Sequence, residues 1–443
     1  MGRLFGTDGI RGVAGEDLTT ELAYALGRAA VLALGNEVHG RPTFVVGRDT
    51  RASGEMLEKA LVSGISAAGG DALLAGVQTT PAIAFLTVDL GATSGVVISA
   101  SHNPPEDNGI KFFGSTGYKL PDKVEDEIEQ ILAEGARESV GEPGTSRRLE
   151  AAHHRYLEHL REAADAPLAG WRIVIDCANG SASEVGAEAL RQLGADVHAI
   201  FDRPDGTNIN DGCGALHPDV AAGHVVRLGA DAGVSLDGDA DRVLFSDASG
   251  NVVDGDQVVA ALALSLHEEG RLAGDRIVAT VMSNLGLMQA MDAAGIDVRR
   301  TAVGDRYVLE EMLSSGAVLG GEPSGHVILA EHATTGDGLL AAVKFLSLAA
   351  KQGTTVESLA ASMQRFPQVL ENVPVRDRNE LEDAEQVWAT VRDAERQLGR
   401  TGRVLVRASG TEPLVRVMVE AESEEDAGRH ARRIAECVRS VLG

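Results

Sequence analysis

The sequence contains little of what several common classes of protein require. Only 3 % of its 443 residues are aromatic, and the formal net charge is −26. Nucleic-acid surfaces use stacking aromatics and basic side chains, so both values argue against a nucleic-acid partner. No uninterrupted apolar stretch approaches the roughly 20 residues of a membrane span, and the N-terminus has no apolar signal segment. We expect a soluble cytoplasmic protein without a membrane partner.

Cysteine is also scarce. The three cysteines, Cys177, Cys213 and Cys437, are far apart and form no Cys-x-x-Cys pair. This pattern provides no zinc cage and suits a reducing compartment. Apolar residues, by contrast, make up 44 % of the chain, enough for roughly three or four domains with their own cores. Because the protein is so acidic, a site for a small anion must gather its cations locally.

A pattern of strand, helix and strand occurs three times along the chain. Each time an apolar strand leads through a helical stretch and a glycine to a second strand, which is the βαβ pattern of parallel sheets. The first strands are 44–46, 172–175 and 276–278, and the second strands follow Asp71, Asp196 and Asp297. Common ancestry of these units and chance similarity between α/β segments are both open.

The C-terminal quarter has a different pattern. Residues 403–407 and 414–420 alternate apolar and polar side chains around a loop, which predicts a hairpin, and a charged helix follows from about Glu424. The chain therefore predicts three α/β domains and a smaller α+β domain. Their predicted bounds are 1–150, 151–250, 251–368 and 369–443.

Ser101 follows the β-branched run 96–98, and open α/β sheets place ligand-binding groups just beyond strand ends. Its hydroxyl is suited to accept a phosphoryl group where a base and cations are close. However, serine, asparagine and proline are turn-forming residues, and the segment Ser101–Pro104 by itself favours an ordinary turn.

Three carboxylates at alternate positions, Asp237, Asp239 and Asp241, follow an apolar strand. A tight loop can fold such a triplet around one hard cation, as Mg²⁺ prefers. An EF-hand begins in the same way, but its sixth position requires glycine and its twelfth glutamate, where this chain has Arg242 and Ala248. Without a counterion the three carboxylates would repel one another, so the triplet predicts a metal site.

The segment 407–413 is the local gathering of cations that the acidic composition requires. Arg407 and Arg416 lie at the inner ends of the predicted hairpin, on either side of a Ser-Gly-Thr loop whose N–H and hydroxyl groups suit an anion. A plain turn with solvated arginines is the alternative. Glu322, Ser324 and His326 lie in a second glycine-rich loop, which is suited to sugar hydroxyls and proton transfer but is equally typical of an ordinary loop.

Together these segments resemble the α-D-phosphohexomutase family along the whole chain. The resemblance rests on Phe5–Gly12, Ser99–Pro104 with Asn108–Phe112, Asp237–Arg242, and Arg407–Pro413. Val303–Val308 and Leu414–Glu420 are similar to the bacterial branch that acts on glucosamine phosphates. Two departures, Ala240 for a common glycine and Pro323 for a common methionine, remove no liganding group.

The resemblance implies a four-domain phosphohexomutase architecture, with three related α/β domains and a C-terminal α+β domain around a central cleft. It implies that Ser101 carries a phosphoryl group and that one Mg²⁺ per chain binds Asp237, Asp239, Asp241 and the Ser101 phosphate. Sugar recognition falls to Glu322 and Ser324, and charge stabilisation and proton transfer to Arg11, His102, Lys111 and His326. Binding of the non-transferring phosphate falls to Arg407, Ser409, Gly410, Thr411 and Arg416.

The implied reaction interconverts glucosamine 6-phosphate and glucosamine 1-phosphate through glucosamine 1,6-bisphosphate, feeding UDP-N-acetylglucosamine and cell-wall precursor synthesis. The enzyme would be a cytoplasmic monomer or homodimer with a hexosamine phosphate as its small-molecule partner. Three alternatives are open: a mutase of the same family for mannose or glucose phosphate, a metal-dependent sugar phosphatase, and a non-enzymatic sugar-phosphate sensor.

Overall fold

The computed structural model describes residues 4–6, 9–35, 40–135, 142–409 and 412–443. The chain divides into two compact units. The first unit comprises Met1–Met282 and Ile296–Ser362, and the second comprises Ser283–Gly295 and Met363–Gly443. Among the described residues, no helix combines the length and the apolar character that crossing a membrane requires.

The first unit begins with a six-stranded sheet of order β1-β5-β4-β2-β3-β6. Its strands are β1 (Ile10–Val13), β2 (Thr43–Arg48), β3 (Asp71–Val77), β4 (Ser94–Ile98), β5 (Asp107–Gly114) and β6 (Ser146–Arg148). Its helices are α1 (Thr20–Leu34), α2 (Gly54–Ala67), α3 (Thr80–Asp89) and α4 (Asp122–Glu134). Along β2, Phe44 and Val46 join the core beneath α1 and α2, and Val45 joins the core beneath α3. This alternation follows from the two-residue period of a strand and covers both faces of the sheet.

A second, five-stranded sheet has the order β11-β10-β9-β7-β8. Its elements are α5 (Ala152–Ala163), β7 (Arg172–Asp176), α6 (Gly186–Arg191), β8 (Asp196–Ile200), α7 (Pro218–Leu228), β9 (Ala232–Leu236), β10 (Val243–Asp247) and β11 (Val252–Val253). β7 pairs in parallel with β8 and β9, whereas β9 pairs antiparallel with β10. The carboxylate triplet therefore lies in the loop between two neighbouring strands.

The third sheet of the first unit has the order β13-β12-β14-β15, with β12 parallel to β13 and β14. The chain order is α8 (Gly255–Glu268), β12 (Arg276–Thr280), α9 (Leu285–Ala294), β13 (Asp297–Thr301), α10 (Asp305–Ser315), β14 (Leu319–Gly321), β15 (Val327–Leu329), α11 (Gly338–Gln352) and α12 (Val356–Ala360). Every residue of α11 from Gly338 to Ala349 is buried. Although α9 connects β12 to β13, it belongs to the second unit.

The second unit contains an antiparallel sheet of order β16-β18-β17. Its elements after α9 are β16 (Gln368–Pro374), α13 (Glu385–Leu398), β17 (Arg403–Ala408), β18 (Leu414–Glu420) and α14 (Glu424–Leu442). Short 3₁₀ turns elsewhere in the chain cover Gly214–Leu216, Ala273–Asp275 and Arg378–Leu381. The predicted hairpin and final helix are confirmed, and so is the predicted class of three α/β domains followed by an α+β domain.

Candidate active site

Ser101 lies three residues beyond β4 and is 2 % exposed. Its φ of +52° is in the left-handed region, which a residue with a Cβ enters only when its surroundings hold it there. The backbone N–H of Ser101 donates to Ser99 Oγ at 3.0 Å. Its own Oγ donates to Asp237 Oδ2 at 2.8 Å and lies 3.2 Å from His102 Nδ1. The serine hydroxyl is thus in hydrogen-bond contact with two candidate proton acceptors.

The backbone around Ser101 is held by Arg51, which is buried at the base of the serine loop. Its guanidinium donates to the carbonyl oxygens of Ser101 at 3.0 Å and Asn103 at 2.8 Å. It also donates to the carbonyls of Pro104 and Asp107. A single planar group thereby binds four carbonyl oxygens of the loop backbone.

The charge of Arg51 is balanced by Asp49, whose carboxylate accepts from Arg51 Nε at 2.8 Å and from the Ser99 hydroxyl at 2.6 Å. Burial raises the pKa of Asp49, although Arg51 opposes that shift. Asn210, in the segment between β8 and α7, donates a further hydrogen bond from Nδ2 to the Ser101 carbonyl at 2.9 Å. The nucleophile candidate therefore stands on a buried polar network, which is costly unless every member is satisfied.

Ser101 meets a buried cluster of carboxylates. One oxygen from each of Asp237, Asp239 and Asp241 lies within 4.8 Å of the others, and all three residues are buried. Gly238 packs so closely that a Cβ there would lie 2.6 Å from the Ser101 carbonyl oxygen, so only glycine allows the two loops to meet. Ala240 has φ of +58°, which explains why a glycine would fit this position equally well.

The cluster fits a divalent cation. Burial, and then the neighbouring Asp241 and Asp239, raise the pKa of Asp237 well above its ordinary value, which shows how unfavourable the bare carboxylates are together. Oδ1 of Asp239 and Oδ1 of Asp241 are buried and accept no hydrogen bond within the described parts of the chain. Buried carboxylate oxygens without a donor, in an all-oxygen set, are what Mg²⁺ requires.

The glycine-rich loop of the third sheet also reaches this cluster. His326 Nδ1 lies 3.6 Å from Asp241 Oδ2, while its Nε2 accepts from the backbone N–H of Gly336 at 3.2 Å. Glu322 is 7 % exposed, and its Oε1 accepts from Gly304 N–H at 3.1 Å. The loop is joined to β10 by the Val243 N–H, which donates to the Gly325 carbonyl at 3.1 Å. Ser324 is half-buried in the same loop.

Basic side chains surround the serine and the carboxylates. Arg11 on β1 lies 3.5 Å from the Ala100 carbonyl through Nη1, and Lys111 on β5 is buried. Although burial opposes the shift, His326, and then Arg242 and Lys111, hold the pKa of Asp241 below its ordinary value. Arg242 Nε lies 3.8 Å from Asp241 Oδ1. Burial, and then the charges of Arg242 and Arg11, lower the pKa of His102. A neutral His102 is a suitable proton acceptor for the neighbouring serine hydroxyl.

The second unit holds the remaining predicted site residues that the structure describes. Arg407 and Arg416 are direct cross-strand partners on β17 and β18. Burial, and then Arg416, lower the pKa of Arg407. Ser409 is buried, and Arg378 Nη1 donates to its carbonyl oxygen at 2.6 Å. Gly410 and Thr411 lie outside the described residues. Paired arginines beside a serine form a typical receptor for a phosphate dianion.

Several residues around the serine and the carboxylates were not assigned a role from the sequence: Asp49, Arg51, Thr80, Asn210 and Arg242. In the second unit the same is true of Arg378. Asp49 and Arg51 did carry a signal, since they directly follow β2 at the carboxyl end of a parallel strand, where functional groups gather. Thr80 and Asn210 carried none, because isolated polar residues near a helix start or a turn are common.

The first unit has three sheets with flanking helices, and its buried serine is hydrogen-bonded to a cluster of carboxylates. This combination is typical of α/β phosphoryl-transfer enzymes. Sequence profiles of the phosphoglucomutase/phosphomannomutase alpha/beta/alpha domains I, II and III and of its C-terminal domain match this chain. The matched residues are 2–139, 154–250, 254–366 and 370–437, respectively. The chain belongs to the phosphoglucomutase/phosphomannomutase family.

Individual relatives agree with this assignment. A phosphoglucosamine mutase of Moorella thermoacetica is 52 % identical over 431 residues, which cover 96 % of this chain and 97 % of the relative. A phosphoglucosamine mutase of Corynebacterium glutamicum is 52 % identical over 447 residues, with 100 % of both chains covered. The crystal structure of a phosphoglucomutase/phosphomannomutase family protein from Burkholderia thailandensis has a TM-score of 0.83 at 22 % identity, covering 99 % of this chain and 97 % of that chain. The predicted family is confirmed.

Proposed function

We propose that this enzyme interconverts glucosamine 6-phosphate and glucosamine 1-phosphate in the cytoplasm, as a monomer or homodimer, and so supplies amino-sugar and cell-wall precursors. The observation that carries the proposal is the 2.8 Å contact between Ser101 Oγ and Asp237 Oδ2, which joins a candidate phosphoryl carrier to a carboxylate cluster. The choice of sugar is supported by the two relatives named phosphoglucosamine mutases, which are 52 % identical over nearly the whole chain.

In the proposed reaction, phosphorylated Ser101 gives its phosphoryl group to the free hydroxyl of the sugar phosphate. The P–Oγ bond breaks, a P–O bond to the sugar forms, and the proton of the sugar hydroxyl replaces the phosphoryl group on Ser101. The resulting glucosamine 1,6-bisphosphate turns round, the bond between its other phosphorus and the sugar oxygen breaks, and a P–O bond to Ser101 Oγ forms. The serine proton ends on the released sugar oxygen, which becomes a hydroxyl. Asp237 and His102 are the groups placed to take the serine proton in that return step.

The other site residues would bind the metal ion and the sugar phosphate and hold them in the orientation that phosphoryl transfer requires. Asp237, Asp239 and Asp241 would hold one Mg²⁺ together with the Ser101 phosphate, and a bound Mg²⁺ would neutralise the charge of the phosphoryl oxygens. Glu322 and Ser324 would bind the sugar hydroxyls. Arg11, Lys111 and His326 would stabilise charge around the transferred group. The phosphate that stays in place would be bound by Arg407, Ser409, Gly410, Thr411 and Arg416.

The test combines intact-mass analysis with turnover. The purified protein should carry a phosphoryl group that maps to Ser101 and should interconvert the two glucosamine phosphates. Ser101→Ala should lose at least about 10³-fold in rate even with bisphosphate supplied, because the covalent route is removed. Ser63→Ala is the control, because Ser63 is an exposed serine of α2 whose hydroxyl donates to the Lys59 carbonyl at 2.7 Å, and its loss should change neither the phosphoryl group nor turnover.

Other outcomes would contradict the proposal in distinct ways. Near-normal turnover of Ser101→Ala would exclude the serine as carrier. Net release of inorganic phosphate would identify a phosphatase. Faster turnover of mannose or glucose phosphates than of glucosamine phosphate would identify a different sugar specificity, and binding without turnover would identify a sensor.

A further inference from the structure

Thr80, the first residue of α3, reaches the carboxylate cluster from a distant part of the sequence. Its Oγ1 donates to Asp239 Oδ2 at 2.6 Å, and its backbone N–H donates to the Asp239 carbonyl oxygen at 3.0 Å. Both residues are buried, with Thr80 0 % and Asp239 2 % exposed. Thr80, at the start of a helix that packs on the first sheet, therefore holds both the backbone and the side chain of Asp239, which lies in the loop between β9 and β10.

This contact determines which oxygen of Asp239 is free. Oδ2 is taken by the Thr80 hydroxyl, so Oδ1 is the atom left buried without a hydrogen bond within the described ranges. Asp237 differs, because its two oxygens accept from Arg242 N–H at 3.1 Å and from Ser101 Oγ at 2.8 Å. A carboxylate held by one oxygen presents the other in a fixed direction, which is how outer hydrogen bonds tune metal ligands.

The contacts at the start of α3 show that the hydroxyl of Thr80 is not needed to cap the helix. The helix is capped by Thr79, whose Oγ1 accepts from Ala82 N–H at 3.2 Å, and the next residues, Pro81–Ala84, are buried and apolar. Thr80 is thus not needed to start the helix. A valine would have the same shape and suit the apolar surroundings, so the hydroxyl serves Asp239.

We propose that Thr80 is a positioning residue for a divalent cation, aligning Asp239 so that Oδ1 faces the cation. The inference rests on the metal site included in the proposed function. Loss of the hydroxyl would leave Asp239 Oδ2 buried without a donor and free the carboxylate to rotate. Removing such an outer partner typically weakens metal binding about 10- to 100-fold.

The proposal is tested by Mn²⁺ binding to the metal-free full-length protein, followed by electron paramagnetic resonance and independent of turnover. Thr80→Val should bind Mn²⁺ about tenfold more weakly than the native protein. Thr80→Ser keeps the hydroxyl and should restore affinity to within about twofold of native. Thr87→Val is the matched control, because Thr87 is equally buried on the same helix but donates to the Ile83 carbonyl at 2.7 Å.

The outcomes separate this inference from the metal site itself. Asp239→Asn should abolish binding; if it does not, or if the native protein binds no Mn²⁺, the site assigned to Asp237, Asp239 and Asp241 is wrong and the inference fails with it. If the native protein binds and Thr80→Val binds equally well, only the role of Thr80 is wrong. An equal loss in Thr87→Val, or no recovery in Thr80→Ser, would show that a general disturbance of α3 is responsible and would overturn the inference.

Discussion

At the scale of single residues, the serine loop is held by a buried guanidinium group, that of Arg51. Arg51 is 1 % exposed and binds the carbonyls of Ser101 and Asn103 with one nitrogen and those of Pro104 and Asp107 with the other. The left-handed φ of Ser101 costs roughly 1–2 kcal/mol in an unsupported chain. Because these bonds draw the carbonyl oxygens to one side, the Ser101 side chain is directed to the other, toward Asp237.

Replacing Arg51 by lysine keeps the charge but loses the planar fork. A single ammonium group cannot reach four carbonyl oxygens and Asp49 together, so the serine loop should lose its alignment. We expect kcat to fall about 10- to 100-fold while KM for the sugar phosphate changes little, because binding residues are untouched. Steady-state mutase kinetics measure both constants.

The control for this change is Arg48→Lys on the same stretch of chain. Arg48 Nε lies 3.5 Å from Glu58 on α2, and a lysine there should leave kcat within about twofold of the native value. An effect of Arg51→Lys that is confined to KM, or a native kcat in that variant, would show that the guanidinium does not align the serine.

How much of the site the sequence could predict depends on how local the contacts are. The carboxylate triplet was predicted correctly to gather in space, because three alternate positions of one short loop cannot separate far. The pairing of Ser101 with Asp237 joins positions 136 residues apart, and no local pattern contains it; only the family resemblance implied it. Thr80, 159 residues from Asp239, was missed for the same reason.

At the scale of elements, the positions of the strands could be predicted from the sequence better than which strands pair with one another. Apolar runs such as Phe44–Val46 became strands because a sheet covered on both faces requires continuous apolar sequence. The order of strands within each sheet had no signal in the sequence. The start of α11 shows the same difference between local and distant contacts. Its cap, Asp337, accepts from Leu340 N–H at 2.9 Å, which is a local contact. Asp337 also accepts from the Tyr156 hydroxyl of α5 at 2.8 Å, and no local pattern predicts that contact.

Asp337→Asn should make the stability of the protein less dependent on pH. Burial raises the pKa of Asp337 to about 6 in the folded protein, whereas the unfolded chain releases this proton near the ordinary aspartate value. Between roughly pH 4 and 6 this carboxyl group therefore binds more protons in the folded state than in the unfolded state, and its contribution to stability falls as the pH rises. Asparagine still caps the helix but does not titrate, so this slope should decrease by about one linked proton.

Thermal unfolding in chelator from pH 4 to 7 measures that change. Tyr156→Phe is the matched control, because it removes a hydroxyl from the same contact and keeps the carboxylate. It should keep the slope between pH 4 and 6 and extend it to higher pH, since the Tyr156 hydroxyl lowers the pKa of Asp337. An unchanged slope in Asp337→Asn would mean that the carboxyl group releases its proton at the same pH in both states.

At the scale of the whole molecule, the two units do not follow the order of the chain. Ser283–Gly295 lies between β12 and β13 in sequence but belongs to the second unit. Glu420 of β18 is 0 % exposed and accepts from the Leu285 N–H at 2.9 Å and from Arg403 Nη2 at 2.9 Å. Arg403 Nη2 also donates to the Ser283 carbonyl at 2.8 Å. The hydrogen bonds of Glu420 with Leu285 and of Arg403 with Ser283 thus join this segment to the C-terminal sheet.

This connection predicts which segments lose protection together. Glu420→Gln removes the negative charge that Arg403 Nε and Nη2 bind, and the loss of such a charged hydrogen-bond partner typically costs about 1.5–3 kcal/mol. Amide hydrogen exchange should therefore rise in Ser283–Gly295 together with β16, β17 and β18, because segments of one cooperative unit open together. Exchange in β2 and β9 of the first unit should stay close to native.

Glu371→Gln is the control on the same sheet, because the Glu371 carboxylate is partly exposed and pairs with Arg439 at 3.3 Å, an arrangement worth at most about 1 kcal/mol. It should leave exchange in Ser283–Gly295 unchanged. If exchange in α9 instead followed β12 and β13 in Glu420→Gln, the helix would open with the sheet that its sequence position suggests. Joint opening of α9 with the C-terminal sheet would show that folding cooperativity follows the contacts of Glu420 and Arg403 rather than the order of the chain.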